Sequence, residues 1–237
     1  MRILLLGYGK MGKTIEKIAL ERGHEIIGRI DDTSEPKEEY TRENTDVAIE
    51  FSQPDAAVEN IKWCLNRQIP VVSGTTGWLE SWDEIVSLCR KTNGTFFYAS
   101  NYSIGMNLFV QLNRYLARLM DGFPSYDVSM EEIHHIEKKD APSGSAITLA
   151  KEILAKLSRK KEWSKDENSG DDIVPIRSVR EPDVPGTHTV TYFNDEDMIE
   201  VTHTAKSRQG FARGAVLVAE WIPGRKGPLG MNDFLNF

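Results

Sequence analysis

Cysteine, long apolar runs and excess basic charge are all scarce in this sequence. Its 237 residues include two cysteines, Cys64 and Cys89, which are too few for a disulfide framework and lack the spacing of metal ligands. A reduced, cytoplasmic setting is the simplest interpretation of that cysteine usage. Lysine and arginine number 29 against 36 aspartates and glutamates, so the net charge of -7 argues against nucleic acid or an anionic membrane as a partner.

The apolar segments near the start of the chain are short. The first of them, Ile3 to Leu6, ends at Gly7, so it is too short for a membrane span or for the apolar part of a secretory signal. We therefore expect neither. With 40% hydrophobic residues, the chain can bury a substantial core as one large domain or two modest ones.

The first hundred residues alternate strand-like and helix-like segments, which is typical of a parallel sheet covered by helices on both faces. We predict strands at 2–6, 25–30, 46–52, 70–73 and 95–100. We predict helices at 13–22, 54–67 and 80–92. This part of the sequence therefore predicts an α/β domain.

Beyond residue 103 the layout changes to one long helix followed by closely spaced strands. The helix is predicted at 104–120, and a mixed sheet is predicted from strands at 127–134, 174–180, 187–193 and 198–204 with a helix at 146–159. The charged segment 160–172 is predicted to be an exposed, mobile loop. A last helix at 212–221 is apolar on one face and could return to the first sheet, which would make the first domain discontinuous.

The first strand leads directly into a glycine-rich segment, Gly7-Tyr8-Gly9-Lys10-Met11-Gly12. This G-x-G-x-x-G spacing is informative because it follows a strand and opens a helix. Gly7 suits the tight turn, Gly9 lets the backbone approach a pyrophosphate, and Gly12 lets helix and strand pack closely. The free N–H groups at the helix start would hold the phosphates. The motif predicts a dinucleotide-binding domain of Rossmann type.

Asp31, at the end of the second strand, can accept hydrogen bonds from an adenosine ribose. Asp32 adds negative charge where a 2′-phosphate would lie and favours NAD, whereas Lys10 and Arg29 could admit NADP. The choice between NADH and NADPH therefore stays open. A solvated acid without a ligand is the alternative for Asp31.

Two later segments follow strands in the same way. Ser73-Gly74-Thr75-Thr76-Gly77 comes after the fourth strand, and Ala99-Ser100-Asn101-Tyr102-Ser103 comes after the fifth. Small hydroxyl residues and exposed backbone at the carboxyl edge of a parallel sheet suit the ribose or nicotinamide end of a dinucleotide. Without the glycine motif, ordinary loops would be the better interpretation of both.

The segment from Glu131 to Ala146 concentrates histidines, cations and a helix start. His134 and His135 can donate protons, Lys138 and its neighbour supply positive charge, and Pro142-Ser143-Gly144-Ser145 begins a helix whose N–H groups can hold a carboxylate. An anionic substrate fits this set. The alternative is that the histidines lie on opposite faces of a strand, one in the core and one solvated. We predict no metal site, because strand neighbours point apart and neither cysteine is near.

Together these motifs resemble the 4-hydroxy-tetrahydrodipicolinate reductase family, the dihydrodipicolinate reductases of bacterial lysine and diaminopimelate biosynthesis. The most specific part is His134-His135 through Asp140-Ala141-Pro142-Ser143-Gly144-Ser145-Ala146, which is similar to the family's HHxxKxDAPSGTA-like element. The segments Asn101 to Asn107, Gly186-Thr187-His188-Thr189 and Ser207 to Ala215 extend the likeness nearly from end to end.

The resemblance implies an N-terminal Rossmann-type parallel-sheet domain over 1–103 and 212–237. It implies a central α+β mixed-sheet domain over 104–211 that binds substrate and forms a homotetramer. His134 and Lys138 match catalytic positions, and His135, Gly144 and Ser145 match positions that hold substrate. The matching cofactor positions are Gly7, Tyr8, Gly9, Lys10, Met11, Gly12, Asp31, Gly74, Thr75, Thr76, Ala99, Ser100, Asn101 and Tyr102.

The implied reaction reduces a cyclic imine dicarboxylate to tetrahydrodipicolinate with NADH or NADPH and with loss of water. Lys138 is the first candidate for the proton donor, and His134 would orient, relay or share that role. Two other functions remain as alternatives: a dehydrogenase for aspartate or a related amino acid, and a protein that senses NAD(P) without turnover. The His134 and Lys138 segment disfavours both.

Overall fold

The computed structural model describes residues 1–31, 39–166, 170–207 and 209–237. The chain divides into two compact units, Met1–Ser103 with Gln209–Phe237, and Ile104–Arg208. Asp32, and Arg208 within the segment Ser207 to Ala215, lie outside the described residues. The sequence suggests that one domain binds the dinucleotide and the other binds substrate, and both roles stay predictions.

The strands alternate with helices through the first unit and cluster in the second. The strands are β1 Arg2–Leu6, β2 Glu25–Ile30, β3 Val47–Glu50, β4 Val71–Ser73, β5 Thr95–Tyr98, β6 Asp127–His134, β7 Glu162–Ser164, β8 Ile173–Arg180, β9 Thr187–Phe193, β10 Met198–Thr204 and β11 Gly227–Leu229. The helices are α1 Lys10–Glu21, α2 Pro54–Asn66, α3 Trp82–Lys91, α4 Ile104–Met120, α5 Gly144–Leu154, α6 Gln209–Trp221 and α7 Met231–Leu235. None of these described helices is long and apolar enough to cross a membrane.

The first unit is built on a six-stranded sheet with the order β11-β5-β4-β3-β1-β2, and all its strand pairs are parallel. Successive residues of β1 point to opposite faces. Ile3 and Leu5 pack with residues of α1 and α6, whereas Leu4 and Leu6 pack with residues of α2 and α3. Burial on both faces explains why β1 is a continuous apolar run rather than an alternating one.

The second unit contains a five-stranded mixed sheet with the order β10-β9-β6-β8-β7. Strand β6 pairs antiparallel with β9 and parallel with β8. Every second residue of β6 is buried, and Val128 and Met130 lie in one core with residues of α4 and α5. The same alternation directs Glu132 and His134 to this covered face. The predicted α/β class, with one parallel and one mixed sheet, is confirmed.

Two predictions of secondary structure are wrong. The loop predicted at 160–172 contains β7, which pairs parallel with β8, and only 167–169 lie outside the described residues. Lys160 is buried because its Nζ lies 2.6 Å from an Asp127 carboxylate oxygen and donates to the Asp171 carbonyl oxygen at 2.7 Å. The helix predicted at 146–159 instead spans Gly144–Leu154. Charge in a sequence does not exclude packing when the charges are paired.

Candidate active site

The glycine loop between β1 and α1 is closed to side chains at two positions. A Cβ at Gly7, whose φ is +92°, would lie 2.1 Å from the Phe51 carbonyl oxygen, and one at Gly12 would lie 2.3 Å from the Gly7 carbonyl oxygen. At Gly9, the residue that precedes α1, no described atom comes within 4 Å of such a Cβ. The loop backbone is therefore closely packed at Gly7 and Gly12 and open at the start of α1. N–H groups at a helix start attract phosphate, so the loop fits a dinucleotide.

Three side chains form a cluster beside this loop. The Tyr8 hydroxyl donates to Glu16, and Nε of Arg29 donates to the same carboxylate at 2.9 Å. These bonds, chiefly the one from Arg29, lower the pKa of Glu16. Arg29 is thus already paired with a carboxylate, whereas Asp31, the residue after β2, is exposed.

A buried carboxylate, Glu50, organises the carboxyl edge of the same sheet. Its two oxygens accept hydrogen bonds from the Ser73 hydroxyl at 2.6 Å, the Thr75 hydroxyl at 2.8 Å and the Ser52 backbone N–H at 3.0 Å. A Cβ at Gly74 would lie 2.2 Å from the Phe51 ring. Glu50 and Phe51 therefore pack against the predicted cofactor segment after β4. Within that segment Thr76 is exposed and Thr75 is turned inward.

The segment after β5 presents some of its predicted residues and buries others. Ser100 is exposed, and Asn101 is half-buried with its side-chain oxygen accepting the Ser103 N–H at 2.8 Å. Tyr102 is 2% exposed and its hydroxyl donates to the Ser73 carbonyl oxygen at 2.7 Å. Burial raises the pKa of this hydroxyl well above its usual range. The Tyr102 ring stabilises the loop, so its backbone is the part left for a cofactor.

In the second unit, β6 places Glu132 and His134 together. Glu132 is fully buried, and one of its oxygens lies 3.2 Å from Nδ1 of His134. The Ser143 N–H donates to both carboxylate oxygens at 3.0 Å, and the Arg180 guanidinium lies 3.2 Å from one of them. Burial alone would raise the pKa of Glu132, but hydrogen bonds led by that from His134 outweigh it and hold this pKa far below its ordinary range. The site thus contains a buried carboxylate.

His188, on β9, faces the same cluster. Its ring centroid lies 5.0 Å from that of His134, with the two rings nearly perpendicular, and its Nε2 lies 3.1 Å from the Ser143 hydroxyl oxygen. Burial lowers the pKa of His188 to about 4, and the charge of His134 adds to the effect. His188 is therefore neutral near pH 7.

The loop after β6 carries Lys138. Its Nζ lies 2.9 Å from an Asp140 carboxylate oxygen, and this bond lowers the pKa of Asp140. Arg180 donates to the Asp140 carbonyl oxygen at 2.7 Å, which ties the loop to β8. His135 is partly exposed, with its Nδ1 3.6 Å from a carboxylate oxygen of Glu137. His134 is buried at the end of β6, whereas His135 follows the strand and is partly exposed, so the two do not lie on opposite faces of one strand.

The start of α5 is open at its first residues. Ser143 precedes the helix, and its hydroxyl accepts the Ala146 N–H at 3.2 Å. Gly144 is exposed, and within the described part of the chain nothing comes within 4 Å of a Cβ built there. Gly144 and Ser145 therefore present backbone N–H groups at a helix N-terminus, beside the strand that ends with His134.

Glu132, His134 and His188 bring three ligand-type atoms within 4.8 Å of one another, a set that could hold a metal ion. The carboxylate, however, already accepts the Ser143 N–H and is paired with Arg180, whose positive charge opposes a second cation. We therefore describe the cluster as a hydrogen-bond network. That the protein uses no metal stays a prediction.

Sequence reasoning assigned no role to Glu50, Glu132, Arg180 or His188. A signal for the two acids was present in the sequence: Glu132 is in phase with Val128 and Met130 along β6, and Glu50 directly follows the apolar run of β3. An inward acid in a core strand needs partners, but the sequence does not say which ones.

Residues 1–102 match the family pattern described as dihydrodipicolinate reductase, N-terminus, and residues 105–235 match dihydrodipicolinate reductase, C-terminus. The 4-hydroxy-tetrahydrodipicolinate reductase of Christiangramia forsetii is 51% identical over 236 residues, which cover 100% of this chain and 98% of the relative. The protein of the same name from Campylobacter jejuni is 34% identical over 238 residues, covering 96% of this chain and 95% of the relative.

Solved structures show the same likeness in fold. A dipicolinate-bound dihydrodipicolinate reductase from Paenisporosarcina sp. TG-14 matches with a TM-score of 0.76 at 22% identity, covering 99% of each chain. An aspartate semialdehyde dehydrogenase II from Vibrio cholerae matches with a TM-score of 0.52 at 12% identity, covering 92% of this chain and 97% of the other. At such identities, structural likeness shows the fold alone.

Proposed function

The chain belongs to the dihydrodipicolinate reductase family, and from this premise we propose how its residues carry out the family's reaction. It is an enzyme that reduces 4-hydroxy-tetrahydrodipicolinate to tetrahydrodipicolinate with a nicotinamide dinucleotide, with release of water. When bound, the dinucleotide supplies the hydride. The protein must then hold a dicarboxylate, orient it and deliver a proton.

The observation that carries the proposal is the open start of α5, in the same unit as two groups able to hold protons, His134 and Lys138. The N–H groups of Gly144 and Ser145 would donate charge-assisted hydrogen bonds to one substrate carboxylate. His135, which is partly exposed, would hold substrate beside them. An anionic ring held at these points is oriented by the backbone rather than by flexible side chains.

Proton delivery is assigned to Lys138. Reduction at one end of a conjugated ring moves negative charge toward the other end, so an acid near the substrate lowers the barrier. Lys138 is held at 2.9 Å by Asp140, which keeps the ammonium in a defined place on its loop. His134 would orient the substrate or share the proton, because its Nδ1 faces Glu132 and its Nε2 points away from that carboxylate.

The dinucleotide is proposed to bind at the glycine loop, Gly7 to Gly12, and at Asp31 and the segments after β4 and β5. We propose a preference for NADH. Asp31 is an exposed carboxylate after β2 whose oxygens can accept bonds from ribose hydroxyls, and the nearby cation Arg29 is paired with Glu16. A 2′-phosphate would meet negative charge at Asp31 and would have to compete with Glu16 for Arg29.

We also propose that the enzyme is a cytoplasmic homotetramer, as the resemblance implies. Cys64 and Cys89 are both free and buried, which suits a reducing compartment. On β9 and β10, Phe193 and Met198 are exposed to 38% and 67%, which suits coverage by another copy of the second unit. Light scattering after size-exclusion chromatography measures the assembly, and a monomer would contradict this part of the proposal.

The deciding experiment is turnover with substrate made in situ by a dihydrodipicolinate synthase, followed as loss of reduced-nicotinamide absorbance. We expect loss that depends on both the synthase and this protein. Dinucleotide binding without turnover would instead support a sensor of NAD(P). Oxidation of an amino acid such as aspartate, with no reaction on the synthase product, would support a related dehydrogenase.

A further inference from the structure

Glu132 is a fully buried carboxylate at the centre of the second unit's site. It lies two residues before His134 on β6, so both side chains point to the same face of the sheet. Its neighbours come from four elements: β6 itself, the start of α5, β8 and β9. A buried charge is costly unless its partners are well placed, so this arrangement is specific.

The carboxylate lies beside one nitrogen of the His134 ring. Nδ1 of His134 is 3.2 Å from a Glu132 oxygen, a close contact whose angle falls short of a hydrogen bond, and no described residue forms a hydrogen bond with this buried nitrogen. An ionised carboxylate can only accept, so a bond between the two groups, closed by a small rotation of the ring, has Nδ1 as its donor. Nε2 is then the nitrogen free to exchange a proton. A Cβ at Gly186 would lie 3.0 Å from Nε2, so the glycine there leaves room beside it.

The same carboxylate reaches Lys138 through two intermediates. Arg180 lies 3.2 Å from Glu132 and donates to the Asp140 carbonyl oxygen at 2.7 Å. The Asp140 carboxylate in turn holds Nζ of Lys138 at 2.9 Å. In parallel, the Ser143 N–H donates to Glu132 and so fixes the start of α5. Glu132 therefore contacts His134 and the start of α5 directly, and it contacts the loop that carries Lys138 through Arg180.

We propose that Glu132 is the positioning residue of this site: it holds His134 in the form protonated at Nδ1 and, through Arg180, holds the loop that carries Lys138. Glu132 does not touch the substrate in this proposal. The inference rests on the proposed roles of His134 and Lys138.

The test compares Glu132→Gln with Glu131→Gln. Glu131 is the neighbouring acid on the opposite face of β6, where it pairs with the exposed Arg177 at 3.3 Å, so its variant removes the same charge outside the site. We expect Glu132→Gln to lower kcat by about 10–100-fold, as for other residues that orient a functional histidine, while the Kd for NADH stays unchanged. The control should keep wild-type kcat.

The pH profile separates positioning from a merely structural role. Besides Glu132, the described titratable groups near His134 include His188 from β9, whose ring lies 5.0 Å away, and Arg180, which lies opposite it on β8. Lys138 and His203 act in turn on His188. Loss of the buried negative charge destabilises protonated groups around it, so the pH profile of kcat should move to lower pH. A profile and kcat per folded molecule equal to wild type, with only a lower Tm, would overturn the proposal.

One measurement avoids the risk that Glu132→Gln fails to fold. Long-range ¹H–¹⁵N spectra of the wild-type protein, without substrate or cofactor, report the protonated nitrogen of each of the five histidines. The His134 signals are identified by their loss in His134→Gln. We expect the proton on Nδ1; neutral His134 protonated at Nε2 would overturn the proposal. Because this readout needs no turnover, its result is distinct from failure of the proposed reaction.

Discussion

Replacement of Asp31 by alanine tests which dinucleotide the first unit is built to bind. Asp31 is exposed at the end of β2, so its bonds to two ribose hydroxyls would compete with water. Hydrogen bonds to charged groups are worth about 1.5–3 kcal/mol when buried, and we take about half of the lower figure for each exposed bond. Two such bonds total about 1.5 kcal/mol, so Asp31→Ala should weaken NADH binding about tenfold.

The same substitution should leave NADPH binding unchanged or improve it. NADPH carries a phosphate in place of one hydroxyl, and removal of Asp31 removes a like charge close to it. A companion variant, Glu16→Gln, frees Arg29, whose guanidinium is 41% exposed in its ion pair with Glu16. Exposed ion pairs are worth up to about 1 kcal/mol, so the freed Arg29 should raise NADPH affinity by about fivefold at most.

Both effects are read as Kd values from the nicotinamide fluorescence of the protein titrated with NADH or NADPH. Glu21→Gln is the matched control for Glu16, because it removes the same charge from the last turn of the same helix. Equal losses of NADH and NADPH affinity in Asp31→Ala would refute the reasoning. So would an unchanged NADH affinity, because the carboxylate would then make no contact with the ribose.

The other predictions concern catalysis, the glycine loop and acid stability. Lys138→Ala and His134→Gln should each lower kcat by at least ~100-fold with unchanged Kd for NADH, and wild-type turnover in both would contradict their assignment. Gly12→Ala places a Cβ 2.3 Å from a backbone oxygen and should cost about 1–3 kcal/mol in urea unfolding. Gly9→Ala, open among the described residues, should keep that stability yet weaken dinucleotide binding. Burial lowers the pKa of His188 from 6.5 to about 4, so the unfolded chain binds the extra proton between these values. The unfolding free energy should therefore rise with pH across that window by up to about 3 kcal/mol, and a His188→Gln variant that keeps the full slope would contradict this.

Local sequence patterns predicted most elements of the fold. The amphipathic period from Ile104 to Met120 predicts α4 at its observed bounds, and Gly23, with a φ of +79°, follows the end of α1. The patterns missed two of the three-residue strands, β7 and β11, although they predicted β4, which is equally short but wholly apolar before Ser73. β7 and β11 are too short to show a period, and each exists because a neighbouring strand offers it backbone hydrogen bonds.

The candidate site also has parts that local sequence predicts and parts that only the fold shows. The glycine loop and the segment from His134 to Ser145 are continuous in sequence, so their residue types and spacing predict their chemistry directly. Their role in binding and catalysis stays a prediction. Tyr102 illustrates the difference, because the sequence places it among the cofactor positions, whereas only the fold shows that its ring is buried and its hydroxyl donates to the Ser73 carbonyl oxygen.

The sequence by itself determined the α/β fold class, the family and the segments that carry the chemistry, because each depends on residues close together along the chain. Only the tertiary structure decided that Glu132 meets His134, Arg180 and His188, because these residues come from three strands whose register is set by the pairing of β6 with β8 and β9. A shift of one residue in that register would turn Glu132 away from Arg180 and leave a buried charge without its partner.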